Sequence, residues 1–130
     1  ACPELIRCLN DVKYSFNSYT MSRAALVCGA AAVRDTEYFE ESIRKIVKTR
    51  EWTKEELKKL GFVLTDSKAN FIFAMHPEYD AGKLFEELKG ERIYVRHWND
   101  ERIERYLRIT VGTDDEMKIL IDSLKRKIHP

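Results

Sequence analysis

Two arginines stand where a planar cation could do chemistry. Arg108 lies in Tyr106-Leu107-Arg108-Ile109-Thr110-Val111-Gly112-Thr113-Asp114-Asp115-Glu116, a β-branched tract that meets a glycine and hands over to a Thr-x-x-Glu capping box. Strand alternation puts Arg108 on the face of Tyr106 and Thr110 and opposite Leu107 and Ile109, so its guanidinium leaves the sheet in one fixed direction. A guanidinium held on a rigid strand suits bidentate capture of a carboxylate or phosphate, because its fork of donors matches a planar pair of oxygens. Arg96, in Tyr94-Val95-Arg96-His97-Trp98, belongs to a tract expected to lie alongside. Two guanidiniums opening into one cleft hold a doubly charged anion far better than one. An arginine on a solvated sheet face is the plainer alternative, and the pattern alone leaves both open.

Other reactive side chains fit weaker patterns. His76 precedes Pro77 in a loop and His97 ends a strand, and neither has a Ser or Cys at a spacing that implies a nucleophile. Asp114, Asp115 and Glu116 open a helix, where acidic residues complement the dipole, which explains them better than metal binding does. Cys2, Cys8 and Cys28 are an odd number with no Cys-x-x-Cys pair and no Cys/His metal spacing. Reduced thiols of a cytoplasmic protein are the natural expectation. No metal is expected. Lys plus Arg (23) nearly cancel Asp plus Glu (22), so no global field advertises nucleic acid or an anionic membrane. No apolar run reaches the roughly 20 residues of a membrane span.

The elements that must position the arginines are legible in order. Pro3 to about Tyr14 reads as a helix with Leu5, Ile6, Leu9 and Val12 on one side. A polar and aromatic break follows, in which Asn17 or Ser18 serves as N-cap of a helix of small side chains from Thr20 to Val33. Asp35 caps a long helix with Tyr38, Phe39, Ile43, Ile46 and Val47 at helical spacing. Near Trp52 that pattern falters, and Thr53-Lys54-Glu55-Glu56 marks a kink or restart before Gly61 stops the helix. From Gly61 the chain reads as strand (62–65), strand (70–75), helix capped by Asp80, strand (93–98), strand (105–111) and a helix starting at Thr113. The fold class is therefore α/β of the α+β kind. N-terminal helices precede a small, mostly antiparallel four-stranded sheet with helices packed on one face. At 130 residues this is one domain's worth of chain, and its abrupt start, Ala1-Cys2-Pro3-Glu4, reads as part of something longer.

Leu107-Arg108-Ile109-Thr110-Val111-Gly112-Thr113, with Tyr94-Val95-Arg96-His97-Trp98 and Ser67-Lys68-Ala69-Asn70-Phe71 before it, resembles the C-terminal part of histidinol-phosphate aminotransferases. These belong to the fold-type I, aspartate-aminotransferase-like enzymes that use pyridoxal phosphate. Val12-Lys13-Tyr14-Ser15-Phe16-Asn17-Ser18-Tyr19 is similar to the stretch just after the family's cofactor-lysine region. The resemblance spans essentially the whole chain, and separates less sharply from aromatic aminotransferases and threonine-phosphate decarboxylase.

The resemblance implies a transaminase that moves an amino group between glutamate and imidazole acetol phosphate. Arg108 matches the arginine that holds the substrate's anionic end, and Arg96 a second arginine that helps bind the phosphate. Asn70, near the domain junction, and Tyr19 rank as secondary; in relatives a proline commonly follows this tyrosine, where Thr20 stands here. Residues 1–34 match the end of the large cofactor domain, 35–61 a connecting helix, and 62–130 the small domain that closes over substrate. The family's Schiff-base lysine, the aspartate at the pyridine nitrogen and the cofactor-phosphate groups all precede the segment that Ala1 begins. By that implication the full-length protein is a pyridoxal-phosphate-dependent homodimer acting on an amino donor and a 2-oxo acid. This stretch alone then binds no cofactor, has no activity, and self-associates through its N-terminal helices. An expectation of another class is a non-catalytic domain in which Arg96 and Arg108 bind an anionic metabolite.

Overall fold

The computed structural model describes residues 2–16 and 19–128, apart from the side chain of Phe16. The elements are α1 (Pro3–Phe16), α2 (Arg23–Arg34), α3 (Thr36–Lys59), β1 (Val63–Leu64), β2 (Phe71–Met75), α4 (Ala81–Gly90), β3 (Leu107–Thr110) and α5 (Asp114–Ile128). The chain divides into two units, Ala1–Phe39 and Glu40–Pro130.

In the first unit, α1 follows the expected apolar spacing, and Leu5, Ile6, Leu9 and Val12 are exposed. The small-residue helix starts later than Thr20 because Ser22 is its cap: the Ser22 Oγ accepts the Ala25 N–H at 3.1 Å. Asn17 and Ser18, the expected caps, lie outside the described residues. No residue of α2 is buried.

Asp35 caps α3 as expected, with its Oδ1 accepting the Tyr38 N–H at 3.2 Å. Of the kink or restart expected at Thr53, the restart does not occur, and the helix runs through to Lys59. Thr53 is fully buried, and its hydroxyl donates to the Thr49 carbonyl one turn back at 2.8 Å, so it serves the helix interior and no cap. Gly61 ends the run at φ +86°, with the Phe62 N–H on the Leu57 carbonyl and the Gly61 N–H on the Lys58 carbonyl, both at 3.0 Å.

The second unit is built on an antiparallel sheet of order β1-β2-β3, with β2 central. Alternation decides its two faces. Ile72, Ala74, Leu107 and Ile109 are buried with Leu84 and Leu88 of α4, Leu57 of α3, and Met117, Leu120, Ile121 and Leu124 of α5. Phe71, Phe73, Arg108 and Thr110 point to the other face. Each of the large aliphatic side chains removed from water contributes roughly 1.5–3 kcal/mol, so this one-sided core dominates the unit's stability.

Three strands form among the described residues where four were expected. The tract 93–98 pairs with β3 only through an isolated bridge between Arg96 and Arg108. At the end of α4, Arg92 adopts φ +62°, its N–H bonds the Lys89 carbonyl, and the Ile93 N–H bonds the Leu88 carbonyl. With Arg96 and Arg108 as the hydrogen-bonded pair, the next such pairs would be Tyr94 with Thr110 and Trp98 with Tyr106. A cavity of about 350 Å³ opens beside Tyr94 and Thr110, and the Tyr106 N–H bonds the Ile103 carbonyl at 2.9 Å instead.

Beyond β3, the capping box closes as read from the sequence. The Thr113 N–H (2.7 Å) and hydroxyl (2.9 Å) donate to the Glu116 carboxylate, which holds that carboxyl below the ordinary glutamate range.

Candidate functional site

Arg108 reaches its position because Leu107 and Ile109 on either side are almost wholly buried and fix the strand's orientation. Its backbone pairs with Arg96 on one side and its register partner on the other is Phe73, so Arg96, Arg108 and Phe73 form one row across the sheet. Residues directly opposite each other across a sheet project to the same face. The two candidate arginines are therefore brought together, as the sequence reading required.

Aromatic rings surround them. The Arg108 Cζ lies 5.5 Å from the centre of the Phe71 ring and 5.6 Å from that of Trp98, and the Arg96 Cζ lies 5.2 Å from Trp98. Phe73 stacks on Tyr106 at 4.6 Å with planes 1° apart, and meets Trp98 at 6.4 Å and 61°. Among the described residues neither guanidinium has a carboxylate partner, and the Arg108 Nε is buried without any hydrogen-bond acceptor. A buried unpaired donor costs about 1–3 kcal/mol, more when charged, unless a ligand supplies the acceptor.

Asn70 stands at the end of the same sheet, where its carbonyl accepts the Val111 N–H at 2.9 Å, and the residue is exposed. Tyr19 belongs to the first unit and is 90 % exposed.

The remaining reactive residues are engaged structurally. His76 is buried between Phe62 and Tyr79, with its Nδ1 accepting the Glu78 N–H at 3.1 Å and its Nε2 3.0 Å from the Leu60 carbonyl. His97 places Nε2 2.7 Å from the Glu104 carbonyl, beside the Phe85 ring. Asp114 accepts the Thr49 hydroxyl, Asp115 pairs with Lys118, and Glu116 caps α5, so the acidic triplet has three separate partners. Cys2, Cys8 and Cys28 are exposed and unbridged.

The sequence reading singled out both arginines as candidates and overlooked the rings that surround them. The signal was a second period-2 pattern: Phe71 with Phe73, Arg96 with Trp98, and Tyr106 with Arg108 each share a strand face.

Fold and site together define a small α/β unit whose sheet face opposite the core carries two guanidiniums among aromatic rings. The sequence profile of the aminotransferase class I and II family matches residues 1–124, and the chain belongs to that family. The histidinol-phosphate aminotransferase of Lactococcus lactis subsp. lactis is 51% identical over 122 residues, 94% of this chain and 34% of that protein. The enzyme of the same name from Clostridium botulinum (strain Okra) is 46% identical over 126 residues, 97% of this chain and 36% of that protein. The chain thus spans about a third of the length of these relatives. Among solved structures, histidinol-phosphate aminotransferase from Sinorhizobium meliloti in complex with pyridoxal-5'-phosphate superposes with TM-score 0.73 at 26% identity, covering 86% of this chain and 31% of that one. The Clostridium acetobutylicum enzyme gives 0.67 at 28%, covering 72% of this chain and 29% of that one.

Proposed function

We propose that this chain is the substrate-anion-binding part of a pyridoxal-phosphate-dependent aminotransferase that exchanges an amino group between histidinol phosphate and 2-oxoglutarate. The observation that carries the reading is the buried, acceptorless Arg108 Nε beside a second unpaired guanidinium. Such a pair offers edge donors to a carboxylate or phosphate and holds an anion more strongly than a neutral ligand. In this role Arg108 orients the carboxylate of glutamate or 2-oxoglutarate, Arg96 adds charge for the phosphate, and Asn70 and Tyr19 take secondary places. The names borne by the relatives support the choice of substrate.

Neither shielded lysine among the described residues fits the cofactor's covalent attachment, which needs an amine both sheltered from water and free to bond an aldehyde. Lys54 is buried but paired with Asp66 at 3.0 Å and Glu51 at 3.2 Å, and these carboxylates, Asp66 foremost, hold its pKa above the ordinary lysine value. Lys127, the other shielded lysine, lies 2.6 Å from Glu91. In this reading the attachment lysine belongs to the part of the relatives that this chain does not span, so residues 1–130 alone are inactive. Residues 1–34 then complete a large cofactor domain, 35–61 connect, and 62–130 close over substrate in a cytoplasmic homodimer.

Assaying the full-length enzyme with histidinol phosphate, aromatic amino acids and phosphothreonine side by side tests the substrate. Preference for histidinol phosphate supports the reading. Preference for an aromatic amino acid, or decarboxylation of phosphothreonine, replaces it with the corresponding relative.

A further inference from the structure

Two like charges share one patch here, and among the described residues neither has a carboxylate partner. Arg96 and Arg108 are a hydrogen-bonded antiparallel pair, a geometry that sets Cα atoms about 5.5 Å apart, and like charges so placed repel. A carboxylate neighbour would relieve the repulsion, but it would occupy the N–H donors that an incoming anion needs.

Trp98 resolves the conflict by a different contact. Its ring lies 5.2 Å from the Arg96 Cζ and 5.6 Å from the Arg108 Cζ, and it is the one aromatic ring among the described residues that serves both cations. The negative face of an indole attracts a guanidinium through the cation's flat face and leaves the donors at its edge free. Phe71 provides such a contact for Arg108 alone. Trp98 is itself seated against Phe73, which is stacked on Tyr106, so its position is set by the sheet.

We propose that Trp98 is a positioning residue that holds Arg96 and Arg108 together with their donors free of protein acceptors, and that it thereby sets a preference for phosphate-type dianions over monoanionic carboxylates. A monoanion is satisfied by Arg108 alone, whereas a dianion gains only if both guanidiniums converge. The inference rests on the reading that the arginine pair is the substrate's anion site.

The test uses the full-length holoenzyme and its Trp98→Leu, Trp98→Phe and Arg108→Ala variants, with inorganic phosphate and acetate as competitive inhibitors. Trp98→Leu is expected to weaken inhibition by phosphate about tenfold and by acetate less than about threefold, the scale of a lost desolvated cation–π contact. Trp98→Phe, which keeps a ring face, restores most of the phosphate affinity. The KM for the phosphorylated substrate follows the phosphate constant, while kcat at saturation moves little. Equal loss for both anions, or no loss for phosphate, overturns the role of Trp98. If Arg108→Ala changes neither inhibition constant, the anion-site reading itself falls, which separates the two failures. Should Trp98→Leu not fold, the series Trp, Tyr, Phe at this position replaces it: a phosphate constant that weakens as the ring face weakens supports the proposal, and a flat series ends it.

Discussion

Arg96 and Arg108 exchange both of their backbone hydrogen bonds, the Arg96 N–H to the Arg108 carbonyl at 3.0 Å and the Arg108 N–H to the Arg96 carbonyl at 2.8 Å. This one bridge joins the tract after α4 to the sheet, and it falls on the two residues whose side chains are proposed to act together. Arg108→Ala in the full-length enzyme is expected to lower kcat/KM for glutamate by about 2–4 kcal/mol of transition-state stabilisation. Arg108→Lys should recover only part of this, since an ammonium keeps the charge without the planar fork. Arg96→Ala, at an exposed position, should raise the KM for the phosphorylated substrate and leave glutamate nearly unchanged. Steady-state kinetics with both substrates checks all three.

Gly61 and Arg92 occupy equivalent positions in two helix stops and should respond to substitution in opposite directions. Each follows its helix at positive φ, +86° for Gly61 and +62° for Arg92, with the same pair of backbone hydrogen bonds. A Cβ on Gly61 would sit 3.0 Å from the His76 Nε2, which is itself 3.0 Å from the Leu60 carbonyl. Gly61→Ala is therefore expected to destabilise by roughly 1–3 kcal/mol, while Arg92→Gly relieves a strained non-glycine residue and stabilises by up to about 1 kcal/mol. Chemical denaturation of the two variants measures the contrast.

The sequence disclosed the parts of the fold where a local rule and the tertiary structure agree. Asp35 and Asp80 cap helices, Gly61 ends one, and the alternation of Leu107, Arg108 and Ile109 selects the sheet face, because each of these is decided by near neighbours. Thr53 misled because Thr-x-x-Glu is satisfied equally by a capping box and by a buried hydroxyl bonded one turn back, and only the packing of α3 chooses between them. The tract 93–98 misled for a related reason: its residues favour a strand, but the Tyr106 N–H that would extend its ladder is taken by the Ile103 carbonyl. At the site, the arginines were visible as cations in apolar tracts. The shared ring of Trp98 depends on pairing across chain-distant elements, which alternation within each tract cannot register.

Acid should loosen the junction of α4 and α5 through Glu91. Lys127 at 2.6 Å, the Ser123 hydroxyl at 2.7 Å and Arg126 at 3.0 Å lower the Glu91 pKa to about 2, with Lys127 the largest cause. A carboxyl whose folded pKa is depressed contributes stability that is fully present above its ordinary value of 4.5 and is lost as pH falls through about 2. Glu91→Gln is expected to flatten the fall of Tm across that interval and to lower Tm at neutral pH. Thermal melts of both proteins from pH 7 to about pH 2 decide it.

The 130-residue chain taken alone is expected to self-associate. On α1, Leu5 is 52 % and Val12 66 % exposed, and α2 buries none of its residues, so both helices present apolar surface that water disfavours. Sedimentation should show a concentration-dependent shift above the monomer. A monomer at high concentration with both helices stably folded counts against this.

Gly112 links the strand that carries Arg108 to the helix behind it, and its lack of a side chain is required by Glu116. A Cβ there would lie 2.5 Å from the Glu116 Oε2 and 3.3 Å from the Glu116 Cβ. The carboxylate could swing away, but it would then release the Thr113 N–H and hydroxyl that it accepts at 2.7 and 2.9 Å. The cost of Gly112→Ala is thus chiefly the lost cap, about 0.5–2 kcal/mol, and Glu116→Ala should cost a similar amount. Because both substitutions remove the same interaction, the double variant is expected to be destabilised by little more than either single one. A double-mutant cycle by denaturant unfolding measures this coupling, and strict additivity would show that Gly112 answers to something other than the cap.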